Sequence, residues 1–226
     1  MRTPRSMTFG SYHTHADGLW TLTSWELSAA TYKQNLVEIP GSSKLLDLST
    51  SLTDGEPTYS SRTLTATFES SEGNRLARKE RINKMINMLD GYSMNIVLPD
   101  DAEHYLVGRL SVRKIYNDMA HASVEVTAVC EPWKYAKGET VVVLTTTGAE
   151  QEATLTNSGR LSVVPTLVVT GANVSLKYGW ATWTLSPGTY ELPDLYLTPG
   201  EHVITYTGEA FNVVSVLEFT YREAVL

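Results

Sequence analysis

Residues 74–91 read NRLARKERINKMINMLDG, and here alone the apolar side chains follow a helical spacing. Ile82, Met85, Ile86 and Leu89 fall at i, i+3, i+4 and i+7, one stripe along a helix. Gly91 stands where a C-terminal cap is expected. The spacing predicts a single helix whose stripe packs on a sheet. Arg75, Arg78, Lys79, Arg81 and Lys84 are expected to decorate its remaining surface. Such a basic face is either a solvated surface or a contact for a neighbouring subunit, an acidic partner or nucleic acid.

On both sides of the helix the period drops to two. β-Prone runs occupy Thr21–Leu27, Leu36–Ile39 and Leu64–Phe68, with turns at Pro40-Gly41 and Asp54-Gly55. After the helix, Leu106, Leu110 and Val112 alternate with Arg109, Ser111 and Arg113, and Asn117-Asp118 offers a turn. The return strand puts Val124, Val126, Ala128 and Cys130 on one side and Glu125, Thr127 and Glu131 on the other. Cys130 therefore reads as a buried, unreactive thiol. As the one cysteine of the chain, it leaves no internal disulfide and no multi-thiolate zinc site.

From residue 137 onward no helical period occurs. Strands are expected at Thr140–Thr145, Ala153–Leu155, Pro165–Val169, Val174–Tyr178, Ala181–Leu185, His202–Thr207 and Val213–Tyr221. Turn residues such as Asn157-Ser158-Gly159 and Ser186-Pro187-Gly188 separate them. Many short strands with regularly spaced turns are the signature of a β-sandwich. Charge shifts in the same place. Residues 1–136 carry 14 Lys+Arg against 16 Asp+Glu, net −2, and residues 137–226 carry 4 against 9, net −5. Two domains follow, 1–136 and 137–226, with the boundary near Pro132–Gly138. The fold class is mainly β, an N-terminal β-structured domain with one helix followed by a C-terminal β-sandwich.

Composition narrows the function. The 226 residues are 42% hydrophobic and 19% charged, which suits packed cores and not a disordered chain. Thr accounts for 28 residues, a β-branched bias toward strands. The longest apolar runs resemble Val141-Val142-Val143-Leu144, so no membrane insertion is expected, and Ser6–Asp17 supplies no signal-peptide core. A net charge of −7 argues against a general nucleic-acid binder.

No phosphate loop, dinucleotide glycine pattern, nucleophile elbow or helix-borne metal motif occurs, so no enzyme and no cofactor is expected. The best metal candidates are His13 and His15, which would share a face in an extended strand. Asp100-Asp101 after Pro99 reads as a solvated turn. Tyr178 and Trp180 would share a strand face and are candidates for stacking on sugars, whereas Trp183, offset by three, points to the other side and reads as core beside Leu185.

Several segments, in order, carry a resemblance. Phe9-Gly10-Ser11 leads to Asp17-Gly18-Leu19, and Ile39-Pro40-Gly41 precedes Leu45-Leu46-Asp47-Leu48. Arg62-Thr63-Leu64 opens an alternating strand, the hairpin closes on Glu131-Pro132-Trp133-Lys134-Tyr135, and the chain ends Tyr221-Arg222-Glu223-Ala224-Val225-Leu226. Together they resemble the distal tail protein family of long, non-contractile-tailed bacteriophages and prophages, most strongly over residues 7–136.

The resemblance implies a structural protein of the virion tail tip, assembled in the host bacterial cytoplasm. Its first domain would build a homohexameric ring that continues the tail tube and lets DNA pass without specific binding. The ring would dock the tail tube protein on one side and a tail-associated hub or fibre protein on the other. The second domain would be a peripheral, galectin-like or carbohydrate-module-like sandwich. Leu36–Ile39 and Leu64–Phe68 are expected to offer edges to neighbouring subunits. An acidic channel wall is expected, with Arg75–Lys84 facing away from it. The alternatives are a carbohydrate-binding protein for host attachment and the equivalent subunit of a phage-like bacteriocin.

Overall fold

The computed structural model describes residues 5–53, 55–208 and 213–226. Asp54 of the expected Asp54-Gly55 turn lies outside the described residues. The chain divides into two compact units, one running to Lys134 and including Leu226, the other Tyr135–Val225.

The first unit contains β1 (Thr8–Phe9), β2 (Tyr12–His13), α1 (Thr14–Gly18), β3 (Thr21–Leu27), β4 (Leu36–Glu38), β5 (Leu45–Asp47), β6 (Arg62–Ser70), α2 (Arg75–Leu89), β7 (Ser93–Leu98), β8 (Asp101–Asn117) and β9 (Ala122–Ala136). Its main sheet has the order β2-β1-β7-β8-β9-β6-β3, and β4 pairs with β5 in a separate two-stranded sheet. Alternation explains the core. Leu64, Ala66 and Phe68 of β6 sit opposite Ala128, Val126 and Val124 of β9, and all six are buried. Leu106, Leu110 and Val112 of β8 extend the same face. Ile82, Met85 and Leu89 of α2 are buried in this core, and Ile86 packs against it. Each such aliphatic side chain contributes about 1.5–3 kcal/mol on leaving water.

Two local choices fix α2. The Asn74 side chain accepts from Ala77 N–H at 2.9 Å, an N-cap that satisfies an otherwise orphaned donor. Gly91 follows at φ +80°, a conformation that glycine adopts without a Cβ penalty. Gly108 of β8 has a different reason for being glycine. A Cβ there would lie 2.7 Å from the Cys130 sulfur of the neighbouring strand, so glycine permits that close approach. Cys130 is 1% exposed, and burial pushes its thiol up to about 11.

The short helix α1 departs from the extended reading of His13-Thr14-His15. His13 Nδ1 accepts from Ala16 N–H at 3.0 Å, and Asp17 accepts from His13 N–H at 2.7 Å. The buried Thr14 hydroxyl accepts from Met7 N–H. These local side-chain bonds offer the backbone an alternative to the strand, and they win over the alternation. Helical residues are thus not confined to 74–90.

The second unit is a sandwich. It holds β10 (Thr140–Thr145), β11 (Gln151–Asn157), β12 (Thr166–Thr170), β13 (Val174–Tyr178), β14 (Ala181–Leu185), β15 (Gly188–Glu191), β16 (Gly200–Gly208), β17 (Val216–Tyr221) and β18 (Ala224–Val225). One antiparallel sheet has the order β10-β17-β12-β15 and the other β11-β16-β13-β14. Leu167, Leu217 and Phe219 from the first meet Leu155, Leu176 and Ile204 from the second in one core.

Three details differ from the sequence reading. The last long strand begins at Val216, not Val213, which is 45% exposed. Buried Ser215 exchanges hydrogen bonds with Ala172, and its N–H donates to the Thr146 hydroxyl at 2.9 Å, so side-chain bonds interrupt the ladder there. β15 and β18 carry no alternation long enough to see in sequence. Finally, Trp183 is half-buried, and Leu195 and Leu197 from the segment between β15 and β16 fill the core, both at 0% exposure.

Candidate functional site

Three surfaces of the chain bear features that a structural fold does not need for itself. The first is a cleft of about 550 Å³ beside α2, lined by Arg75, Leu76, Lys79, Ile82, Asn83, Lys114 and Asn117. Three cations and no carboxylate line it. Leu76 is 64% exposed, and Asn117 Nδ2 donates to the Arg75 carbonyl at 3.1 Å, tying β8 to the start of the helix.

The five basic residues expected on the helix surface do not stay together. Arg75, Lys79 and Lys84 are exposed. Arg78 corrects the expectation, because it is only 1% exposed and lies among the largest buried side chains. One of its terminal nitrogens faces the Gly73 carbonyl, and the other donates to the Asp118 and Met119 carbonyls at 3.0 Å each. Its guanidinium fork therefore ties the turn before α2 to the β8–β9 turn. The signal was present in the sequence: Arg78 stands four residues before Ile82, on the apolar stripe itself. Arg81 is half-buried and donates to the Glu72 carbonyl.

The second surface is the β4–β5 hairpin. Leu36, Val37, Ile39, Leu45 and Leu46 are between 42% and 53% exposed, and Leu52 is 97% exposed. A lone two-stranded sheet is marginal in water, and contiguous exposed apolar side chains mark an interaction surface. Leu64–Phe68, the other expected edge, is corrected: β6 is paired on both sides, to β3 and to β9. The pairing leaves no free donors or acceptors along it for a neighbour.

The third surface is the β13–β14 turn. Gly179, at φ +55°, and Trp180 form its tip, so Trp180 does not share a strand face with Tyr178 as expected. Trp180 is 87% exposed. Tyr178 is occupied elsewhere. His202 Nε2 lies 2.7 Å from the Thr198 carbonyl, which requires its proton there. Its Nδ1 is hydrogen-bonded to the Tyr178 hydroxyl at 2.7 Å, and that hydroxyl also reaches the Tyr196 carbonyl at 3.2 Å. The two rings meet edge to face at 5.8 Å, and burial raises the Tyr178 hydroxyl above its ordinary value.

His13 and His15 do not form the shared strand face that a metal would need. Both His13 nitrogens are engaged, Nδ1 with Ala16 and Nε2 with the Ser6 hydroxyl at 3.2 Å. His15 lies inside α1. Asp101 is also more than a solvated turn, for it bridges His104 at 2.7 Å and Lys134 at 3.2 Å. Burial alone would raise its carboxyl, but hydrogen bonds from His104 and Lys134 outweigh that and hold it below the ordinary value.

Neither a family model nor a curated protein sequence matches this chain. Among solved structures, it is similar to the Dit (gp 19.1) protein of SPP1, described as a paradigm of the hub adsorption apparatus in phages that infect Gram-positive hosts. The TM-score is 0.65 at 15% sequence identity, over 96% of this chain and 98% of that one. At such identity the likeness is one of fold, and it spans both units.

Proposed function

We propose that this chain is a structural subunit of a phage tail tip, joining the tail tube to the hub that engages the host. The observation that carries the reading is the end-to-end fold match to a hub adsorption protein, through both the helix-bearing β unit and the sandwich. The finer reading is a homohexameric ring that continues the DNA conduit, with no catalytic step. The exposed β4–β5 hairpin supports it. Leu36, Val37, Leu45 and Leu46 offer apolar area and a free strand edge that a second copy would cover. Arg75, Lys79 and Lys84 would face away from the bore, since cations on the wall would hold passing phosphates.

Light scattering on the purified chain, alone and with its hub protein, tests the ring. The expected mass is about six times 25.0 kDa, close to 150 kDa. A mass of one subunit under both conditions removes the ring reading.

Trp180 favours a second reading, host-glycan attachment, because a fully presented indole can stack on a sugar face. The geometry argues against it. Trp183 turns inward on β14, Tyr178 is held by His202, and among the described residues no second ring joins Trp180 in a flat platform. The expected outcome on a glycan array is no binding by the full chain. Reproducible binding that a folded Trp180→Ala variant loses would make attachment the function.

A further inference from the structure

We infer that the cationic cleft beside α2 receives the acidic end of the same unit in a second copy of this chain, head to tail. This rests on the ring reading above and names the contact that would build the ring.

The first unit has a cleft at each end of strand β8. At the Lys114 end, Arg75, Lys79 and Lys114 line the cleft, with Leu76 exposed at its rim. At the Asp101 end lies a cavity of about 480 Å³ lined by Glu26, Asp100 and Asp101, together with Arg62 and Lys134. Lys134 is paired with the Asp101 carboxylate, and Arg62 Nε is held by the neutral Ser28 carbonyl at 2.8 Å. The lining therefore carries three carboxylates against two cations, net −1. Glu26 and Asp100 remain exposed. Trp25, Leu27 and Leu98 supply an apolar floor to the same cavity.

The two ends are complementary in both charge and apolar character. An exposed leucine flanked by cations matches an apolar floor flanked by carboxylates. Lys114 lies thirteen positions after Asp101 along β8, about 40 Å of extended strand, so one copy cannot satisfy both ends itself. A two-fold contact through either cleft would set like charges together. An antiparallel two-fold pairing would join both pairs of unlike ends at once and stop at a dimer, whereas a heterologous contact uses one end per neighbour and closes into a ring when the rotation permits. The ring reading selects the second, and the mass of the oligomer tells the two apart. Charge pairing at these exposed positions is screened by salt, so the contact weakens as ionic strength rises.

The test uses two full-length variants, one carrying Lys79→Glu and Lys114→Glu, the other Glu26→Lys and Asp100→Lys. Each is examined by sedimentation and light scattering beside the unaltered chain, at low and high NaCl. Each variant alone presents like charges at both ends, and its association is expected to weaken at least tenfold. An equimolar mixture is expected to recover the oligomer, because each variant's ends then complement the other's. Recovery also shows that both variants are folded. If the unaltered chain forms a ring and both variants form it equally well, this contact is wrong and the ring reading stands. Monomeric variants that fail to co-assemble likewise overturn the contact. If the unaltered chain is a monomer throughout, with its hub protein present as well as alone, both readings fall.

Discussion

Replacing Arg78 with methionine is expected to lower the stability of the first unit by about 3 kcal/mol, since hydrogen bonds to a charged group contribute about 1.5–3 kcal/mol each and some carbonyls regain water. Methionine keeps the aliphatic stem that sits among Ile82 and Met85 and removes only the fork. The carbonyls of Gly73, Asp118 and Met119 then lose their donor. For a unit of this size the loss lowers the melting temperature by roughly 10 °C. Thermal unfolding of the full chain measures it, and hydrogen exchange is expected to quicken around the β8–β9 turn, which the fork holds. Arg78→Lys should fall between the two, because a point charge on a flexible stem cannot reach both turns. A methionine variant that melts with the unaltered chain refutes the clamp.

In the second unit, Phe219→Ala is expected to cost roughly 3–5 kcal/mol, as truncation of a fully buried aromatic does. Phe219 is 0% exposed on β17, which is paired on both sides, to Val142 of β10 and Leu167 of β12. Neighbours held by two ladders cannot collapse into the space. Trp183 is the larger residue but sits half-buried on the edge strand β14, so Trp183→Ala should cost roughly half as much. The ordering is the test. If denaturant unfolding ranks Trp183 above Phe219, the centre of the sandwich core lies nearer β14 than the burial pattern places it.

The sequence by itself carried what repeats along the chain. Period two gave Leu64, Ala66 and Phe68, and Val124, Val126 and Ala128, their common inward face, because successive strand residues point to opposite sides. The helical period gave Ile82, Met85 and Leu89, and the turn residues spaced the sandwich strands. Those features are local, and each is set by the residues that display it.

Tertiary structure decided everything that depends on partners distant in sequence. Whether β6 is an edge or an interior strand turns on β3 and β9, forty and sixty residues away in opposite directions, roughly, and no pattern within Leu64–Phe68 encodes it. Arg78 could lie on the apolar stripe only because the Asp118 and Met119 carbonyls, across the β8–β9 turn, arrive to satisfy it. The turn into helix at Thr14 and His15 is by contrast a local choice, made because Ala16 and Asp17 offer the His13 ring and backbone a closer set of bonds than a longer strand would. The two charged clefts came to opposite ends of one strand through the sheet and the helix together, for β3 brings Glu26 toward Asp100 at one end and α2 brings Lys79 toward Lys114 at the other. Long-range pairing is a property of the whole chain, since the free energy that selects it comes from burying faces contributed by segments far apart.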